Sequence, residues 1–237
     1  MQPHTIAIFG AGGHTGRHAV SHALTMGLDV VAIDLHPPKD DERLDGVTYR
    51  AANVMEDDLA PALEGCDAVI SALGVAFTPS NALNPPPLYS KGTQRIAQAA
   101  REAGIRRIAV ISAAFVEEQP ELPMWFRGSV VAALHNILAE MRKMEAMLEA
   151  QPDLDWIAVR PGWLLDKPAT GKLLVGDRIL PKGAFRCREA DLGHFLVHAV
   201  TSGEHVHQKP AIGAPEAHED ESLAALGSEL AEMAGLH

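Results

Sequence analysis

The sequence predicts an α/β fold, a doubly wound parallel sheet with helices on both faces. Three observations predict it. Short apolar runs of strand length recur along the chain, helix-length amphipathic segments closed by glycine lie between many of them, and the first run ends in a glycine-rich turn that opens directly into a helix. Buried parallel strands read as continuous apolar runs. Their alternation with helices over short connections is the pattern of a sheet covered on both sides.

The elements follow in order. Ile6 to Phe9 is the first strand, and Thr15 to Met26 a helix that turns Ala19, Val20, Ala23 and Leu24 to one side and stops at Gly27. Val30 to Ile33 and the weaker Val47 to Arg50 are the second and third strands, and Asp57 to Glu64 is a short helix closed by Gly65. Ala68 to Ser71 is the fourth strand. A loop rich in Pro and Asn (Thr78 to Pro87) precedes a helix from Leu88 to Ala103, and Ile108 to Ile111 is the fifth strand. Ala113 to Gly128 reads as irregular, Ser129 to Ala150 as a long helix and Trp156 to Val159 as the sixth strand. Beyond Arg160 the alternation weakens: a hairpin or strand pair over Lys172 to Leu180, then a helix over Ala190 to Thr201. The whole chain reads as one dinucleotide-binding domain over 1–237, in which 161–237 is too small for a second core and contributes a substrate-side cap and a C-terminal helix. That last helix, from Ser222, carries Leu223, Leu226, Leu230 and Met233 on one stripe. The stripe packs on its own body or makes a dimer contact, so monomer and homodimer both stay open.

Composition narrows the classes of function. The chain has 237 residues, 47% hydrophobic and 22% charged, and a net charge of −11. It offers no basic face to displace counterions from nucleic acid, and it disfavours anionic lipid. An anionic cofactor is still compatible, because backbone N–H groups bind phosphate inside an acidic protein. Cys66 and Cys187 lack the spacing of a zinc or redox motif and fit a reducing compartment. The start lacks a basic leader and no apolar run spans a bilayer, so the expectation is a cytoplasmic protein.

The chemistry starts at Gly10-Ala11-Gly12-Gly13-His14-Thr15-Gly16. Its glycines permit a sharp turn and close backbone approach to a pyrophosphate, and the helix that follows presents unpaired N–H groups and its positive end. Gly16 lets that helix lie close to the sheet. The spacing is Gly-x-x-Gly-x-x-Gly, a variant of the usual dinucleotide fingerprint, in the strand–turn–helix context that gives it meaning. The second strand ends at Asp34, where a carboxylate accepts hydrogen bonds from both adenine-ribose hydroxyls and repels a 2′-phosphate. Leu35 stands where an arginine would favour NADP. These residues point to NAD, while Lys39 and Arg43 leave NADP open. Asn53 and Val54, after the third strand, are placed to meet the adenine.

The opening Ile-Ala-Ile-Phe-Gly-Ala-Gly-Gly-His-Thr-Gly, Ala-Val-Ile-Ser-Ala-Leu-Gly at 68–74, Val-Ile-Ser-Ala-Ala-Phe at 110–115 and Arg160-Pro161-Gly162 resemble the atypical short-chain dehydrogenase/reductases. The branch they are most similar to is the NmrA-like and biliverdin reductase B (flavin reductase) group, and Asp191-Leu192-Gly193-His194-Phe195 matches a stretch of that reductase. The resemblance spans residues 5–213 by order of elements; the glycine turn is its one specific motif. It implies a Rossmann-type cofactor site across the carboxyl ends of the strands. The nicotinamide would lie near Leu73, Gly74 and Ser112, and substrate near Phe77, Ala113, Phe115, Trp125, Pro161 and Trp163. Ser112 is the one catalytic candidate, as a hydrogen-bond partner of the nicotinamide amide or a substrate carbonyl.

Many short-chain dehydrogenases carry a Tyr-x-x-x-Lys pair on the helix after the fifth strand. Both tyrosines here, Tyr49 and Tyr89, precede that helix, and Ile137 and Met141 occupy the expected register. This excludes alcohol oxidation by that dyad. The flavin-reductase branch implies a route without it, in which a positioned hydride and a solvent proton suffice. Trp125, Phe126 and Trp163 either form a platform for a flat substrate or simply pack beneath the irregular segment. His14, His18 and His22, like His194 and His198, have the i, i+4 spacing of metal ligands. No carboxylate or cysteine completes a site, so they read as phosphate-side or solvent-facing groups and no metal is expected. His205 and His207 read as solvated. The leading expectation is an NAD(P)-dependent oxidoreductase passing hydride to a flavin, quinone-like or other conjugated acceptor. The alternatives are a non-catalytic NAD(P)-sensing regulator and an NAD-dependent epimerase or isomerase.

Overall fold

The computed structural model describes residues 3–76, 78–120, 122 and 126–217. Strands β1 (Thr5–Phe9), β2 (Asp29–Asp34), β3 (Val47–Ala51), β4 (Ala68–Ser71), β5 (Arg107–Ile111) and β6 (Asp155–Pro161) line up parallel in the order β3-β2-β1-β4-β5-β6. The central strands are apolar on both faces: in β1, Ile6 and Ile8 pack in one core layer and Ala7 and Phe9 in the other, all fully buried. Each layer is closed by helices, as a two-sided apolar strand requires. On one side lie α1 (His14–Thr25) and, beside it, the helix Glu189–Ser202; on the other lie Thr93–Glu102 and His135–Glu149. In chain order the helices are α1, α2 (Pro79–Leu83), α3 (Thr93–Glu102), α4 (His135–Glu149) and α5 (Glu189–Ser202).

Four segments differ from the sequence expectation. The helix expected over 57–64 is a single 3₁₀ turn, Pro61–Leu63. Asp57 Oδ2 and Asp58 Oδ1 accept the amides of Asn53 and Ala60 at 2.7 and 3.0 Å. Pro61 has no amide to give, so the preceding turns satisfy the backbone without a helix. The Pro-rich loop contains α2, started by Thr78, whose hydroxyl accepts the Asn81 amide at 3.2 Å. No hairpin forms over 172–180: β8 (Leu174–Gly176) is a lone strand antiparallel to β10 (Ala211–Gly213), which extends the main sheet from β6. The small parallel pair β7 (Trp163–Leu165) and β9 (Arg186–Arg188) lies beside it.

The fourth difference concerns the segment expected to cap the substrate. Helix α5 packs instead against α1 over the sheet, so close that a Cβ on Gly193 would lie 2.8 Å from the Ala19 nitrogen. Its apolar residues Leu192, Leu196 and Val200 are fully buried there. His207 is exposed and His205 half-buried; the His207 ring bonds the Leu154 carbonyl oxygen at 2.7 Å, and both residues hold left-handed backbone, His205 at φ 63° and His207 at φ 58°. The expected C-terminal helix from Ser222 lies outside the described residues, as do Phe77 and Trp125. Among the described residues no helix is long and apolar enough to cross a membrane.

Candidate dinucleotide site

The strand order reverses between β1 and β4, and ligands of open α/β sheets bind at the carboxyl ends of the strands flanking such a point. An open cleft of about 320 Å³ lies there. Of the residues expected to hold the cofactor, Gly10, Gly13, Asp34, Leu35, Asn53, Val54, Leu73 and Gly74 line it, joined by Phe9 and Leu88. Gly12, His14, Thr15 and Gly16 form the adjoining turn and helix start.

The turn is shaped by contacts that exclude side chains. Gly10 has φ 72°, and a Cβ there would sit 2.8 Å from the Ala72 carbonyl oxygen, so the first glycine serves both the left-handed conformation and the approach to β4. A Cβ on Gly16 would lie 2.0 Å from the Gly10 oxygen. Backbone bonds from Gly10 N to Ile33 O at 2.9 Å and from Gly13 N to Gly10 O at 3.1 Å set the path. Gly13, the N-cap of α1, has no side chain to cap it, so the helix leaves its first-turn amides, at His14, Thr15 and Gly16, without helical acceptors. Three donors at the positive end of a helix form an anion site.

Asp34 does two things. Its Oδ2 accepts the Gly12 amide at 2.9 Å, so the carboxylate at the end of β2 fixes the glycine turn. The same side chain lines the cleft. Leu35 beside it is 53% exposed, an apolar rim. Arg43 is turned elsewhere: it pairs with Asp40 at 3.0 Å, donates to Pro38 O and lies over the Tyr49 ring. The loop after β3 is pinned by Arg95 of α3, whose Nε donates to Val54 O at 2.7 Å, while Asn53 Oδ1 accepts the Met55 amide at 2.9 Å.

At the other end of the expected cofactor track, Ser112 is 2% exposed and its hydroxyl donates to Glu145 Oε1 at 2.7 Å. Glu145, on α4, is gripped by Arg160 through Nε at 2.9 Å and Nη2 at 2.6 Å, with Lys209 at 3.3 Å. Arg160, 1% exposed, also meets Glu117 at 3.1 Å, and Glu117 in turn is bound by Arg178. Burial alone would raise the Glu145 pKa, but the hydrogen bonds of Arg160 and Ser112 and the charges of Arg160 and Lys209 outweigh it and hold the carboxyl below its ordinary range. Ala113 is half-buried and Pro161 buried. Phe115 and Trp163 are 5% and 8% exposed and interlock with Phe126 and Phe185, ring centroids 5.0 to 6.3 Å apart. This is a packed aromatic cluster of the kind that fills a core. Ile137 and Met141 of α4 are buried in the same layer.

Sequence reasoning missed three side chains here. Glu145 is signalled by its position, a charge among Met141, Met144 and Leu148 on the buried face of α4. Arg160 ends an apolar strand, which gives a weaker hint. Tyr89 carries no sequence signal. It is 7% exposed, and its hydroxyl accepts the Val75 amide at 3.2 Å and comes 4.0 Å from where a Gly74 Cβ would be. Burial raises its pKa against the opposing bond from Val75, so the phenol stays protonated. His14 meets two carboxylates that are remote in sequence: its Nδ1 lies 3.1 Å from Asp166 and 3.2 Å from Glu189. Burial, with Asp166 adding and His14 opposing, raises the Glu189 pKa.

A glycine cradle at a helix start, placed at the switch point of a 3-2-1-4-5-6 sheet with an acidic residue closing the second strand, defines a dinucleotide-binding protein of the Rossmann type. A model of the NAD(P)H-binding family matches residues 10–203, and the chain belongs to that family. Solved structures agree on the fold. The oxidoreductase ylbE of Lactococcus lactis is 20% identical with a TM-score of 0.72, the match covering 95% of this chain and 96% of that one. A Streptococcus pneumoniae protein assigned as an NADH-flavin reductase is 22% identical with a TM-score of 0.69, covering 89% and 99%. A Bacillus halodurans protein assigned as an NAD-dependent epimerase/dehydratase is 21% identical with a TM-score of 0.71, covering 90% and 94%.

Proposed function

We propose that this protein is a cytoplasmic, NADH-preferring reductase that delivers hydride to a flavin, a quinone-like compound or another conjugated acceptor. The observation that carries the reading is the cradle itself: Gly16 packed on the Gly10 carbonyl, open amides at the start of α1, and Asp34 fixed beside them. These residues fit a nicotinamide dinucleotide. The α1 amides would hold its pyrophosphate and Asp34 its adenine ribose, with Leu35, Val54 and Leu88 against the adenine. Arg43 is occupied by Asp40, Pro38 and Tyr49, which leaves a 2′-phosphate without that partner and supports NADH over NADPH.

When bound, the reduced cofactor supplies a hydride. The chain's own residues orient and desolvate. Leu73 and Gly74 form the floor, and the Tyr89 phenol, protonated and anchored by Val75, presents a donor behind Gly74. Ser112 is held by Glu145 at the mouth of β5 and acts as a positioning group, with Ala113 and the edge of the Phe115, Pro161 and Trp163 cluster bounding the acceptor side. The buried Ile137 and Met141 offer no acid or base, which suits an acceptor that takes a hydride and then a proton from water. The closed packing of Phe115 and Trp163 favours a second reading, an NAD(P)-sensing regulator that binds without turnover.

Following NADH oxidation with FMN and with a quinone separates the two. Acceptor-dependent oxidation supports the reductase. Tight binding without oxidation by either acceptor supports the sensor.

A further inference from the structure

Two carboxylates remote in sequence meet one histidine at the glycine turn, and the fold explains how. Strands β7 and β9 run parallel with Leu165 beside Arg188, so the residues that follow them, Asp166 and Glu189, leave the pair side by side. Glu189 is also the first residue of α5, as His14 is of α1. The two helices touch one turn further on, where a Cβ on Gly193 would lie 2.9 Å from His18 Cβ, and that contact sets Glu189 beside His14. His14 Nδ1 lies 3.1 Å from Asp166 Oδ2 and 3.2 Å from Glu189 Oε2, and the three ligand-type atoms all lie within 4.8 Å of one another. A ring nitrogen carries at most one hydrogen, so Nδ1 cannot donate fully to both oxygens. Glu189 Oε2 is shielded from solvent and has no hydrogen-bond partner among the described residues. Burial of Glu189, with the Asp166 charge, outweighs the opposing charges of His14 and Arg17 and raises its pKa, so the group is short of positive charge.

We propose that these three side chains form a binding site for a first-row divalent cation of the zinc or manganese kind, with His14 Nδ1, Asp166 Oδ2 and Glu189 Oε2 as ligands and water on the open side. Metal–nitrogen and metal–oxygen bonds of about 2.0–2.2 Å set neighbouring ligand atoms about 3.0–3.4 Å apart. The two distances from His14 Nδ1 fall in that range. One imidazole with two carboxylates is a mixed nitrogen and oxygen set that suits zinc or manganese. Calcium asks for about six to eight oxygens, which three side chains do not supply. A cation takes the place of the one hydrogen that the two oxygens compete for, gives Glu189 Oε2 the partner it lacks, and offsets the converging carboxylates. The His14 and Asp166 side chains are 56% and 65% exposed and that of Glu189 is 17% exposed, so the ion enters from solvent and meets a buried inner ligand. The site uses the His14 ring, whereas the cofactor reading uses the His14 amide, so the two stand or fall separately.

The test is a calorimetric titration of the untagged, chelator-treated full chain with zinc and, separately, with calcium, without nucleotide. The wild type should bind zinc far more tightly than calcium. Asp166→Asn and Glu189→Gln should each weaken zinc by at least about ten-fold, the least that losing even a supporting group costs at metal sites. His22→Gln, two turns along α1, should leave the zinc titration unchanged. Zinc should also raise the melting temperature of the wild type by tying α1 to α5 and to the segment after β7, and fail to do so in the two carboxylate variants. A metal-free melt matching wild type shows that a variant folds; Asp166, on the exposed side of the group, decides the matter should Glu189→Gln unfold. Zinc binding that survives Asp166→Asn at full strength, that is lost with His22→Gln, that calcium equals, or that the wild type never shows, would overturn the assignment.

Discussion

Replacing Gly16 by alanine should damage cofactor binding far more than replacing Gly13, three residues away. At Gly16 the new Cβ would lie 2.0 Å from Gly10 O, 2.9 Å from Gly10 C and 2.9 Å from Ala11 Cα. All three are backbone atoms, so no side chain can turn aside and the start of α1 must lift from the turn. Overpacking of this kind costs about 1–3 kcal/mol. The same displacement carries the His14, Thr15 and Gly16 amides away from the pyrophosphate, and losing about 1.4 kcal/mol of that grip is a ten-fold loss of affinity. At Gly13 the backbone is extended at φ −69°, and the closest approach is 3.4 Å. An alanine is accommodated there, with a gain of about 0.4–1 kcal/mol from a stiffer unfolded chain set against a poorer N-cap. Urea melts and NADH titrations of both variants make the comparison. Gly16→Ala should lose stability and at least ten-fold in affinity, while Gly13→Ala melts near wild type. Equal stability and equal NADH affinity in Gly16→Ala and wild type would refute the reasoning.

Asp34→Ala should weaken NADH by about 1.5–3 kcal/mol, the scale of a hydrogen bond to a charged group, and narrow the preference for NADH over NADPH in parallel titrations. Glu145→Leu removes the two-pronged partner of the buried Arg160 and leaves it the partly buried Glu117 at 3.1 Å, so it should cost up to about 3–5 kcal/mol in denaturant melts. The pH dependence has a definite sign. Glu145 and Glu117 are held below the usual carboxylate range, the latter first by its bond to Arg178, so the folded state binds these protons less readily than the unfolded one. Their stabilisation is full above the unfolded carboxyl range, ~4.3, and is lost as the pH falls through the folded values; acid melts of Glu145→Leu should show a shallower decline. Tyr89→Phe should cost about 0.5–1.5 kcal/mol of stability and lower kcat for acceptor reduction more than it changes NADH affinity, which steady-state kinetics resolves.

The sheet was legible because each buried parallel strand announces itself as an apolar run, and the glycine turn because its side chains are forbidden by backbone contacts. Where tertiary contact decides, local pattern fell short. Asp57 and Asp58 look like the first turn of a helix, but their carboxylates close turns that Pro61 then ends. The segment Lys172 to Leu180 has hairpin composition, yet the partner of β8 is β10, more than 30 residues on. Helix α5 was readable as a helix but not as the neighbour of α1, because the small Gly193 that permits the contact has no local signature. In the site, Asp34 could be found from its place at a strand end. Tyr89 and the Ser112–Glu145–Arg160 chain could not, since they are assembled from separate elements whose spacing says nothing of their meeting. The sequence also missed Asp166 and Glu189 at His14, which are brought there by the segment after β6.

Calorimetric titration of the wild-type chain with NAD, NADH, NADP and NADPH tests the central claim most directly. The cradle at Gly10 to Gly16 with Asp34 predicts saturable binding of NAD and NADH and weaker binding of the 2′-phosphorylated pair. Absence of heat from all four, or preference for NADPH, would contradict it.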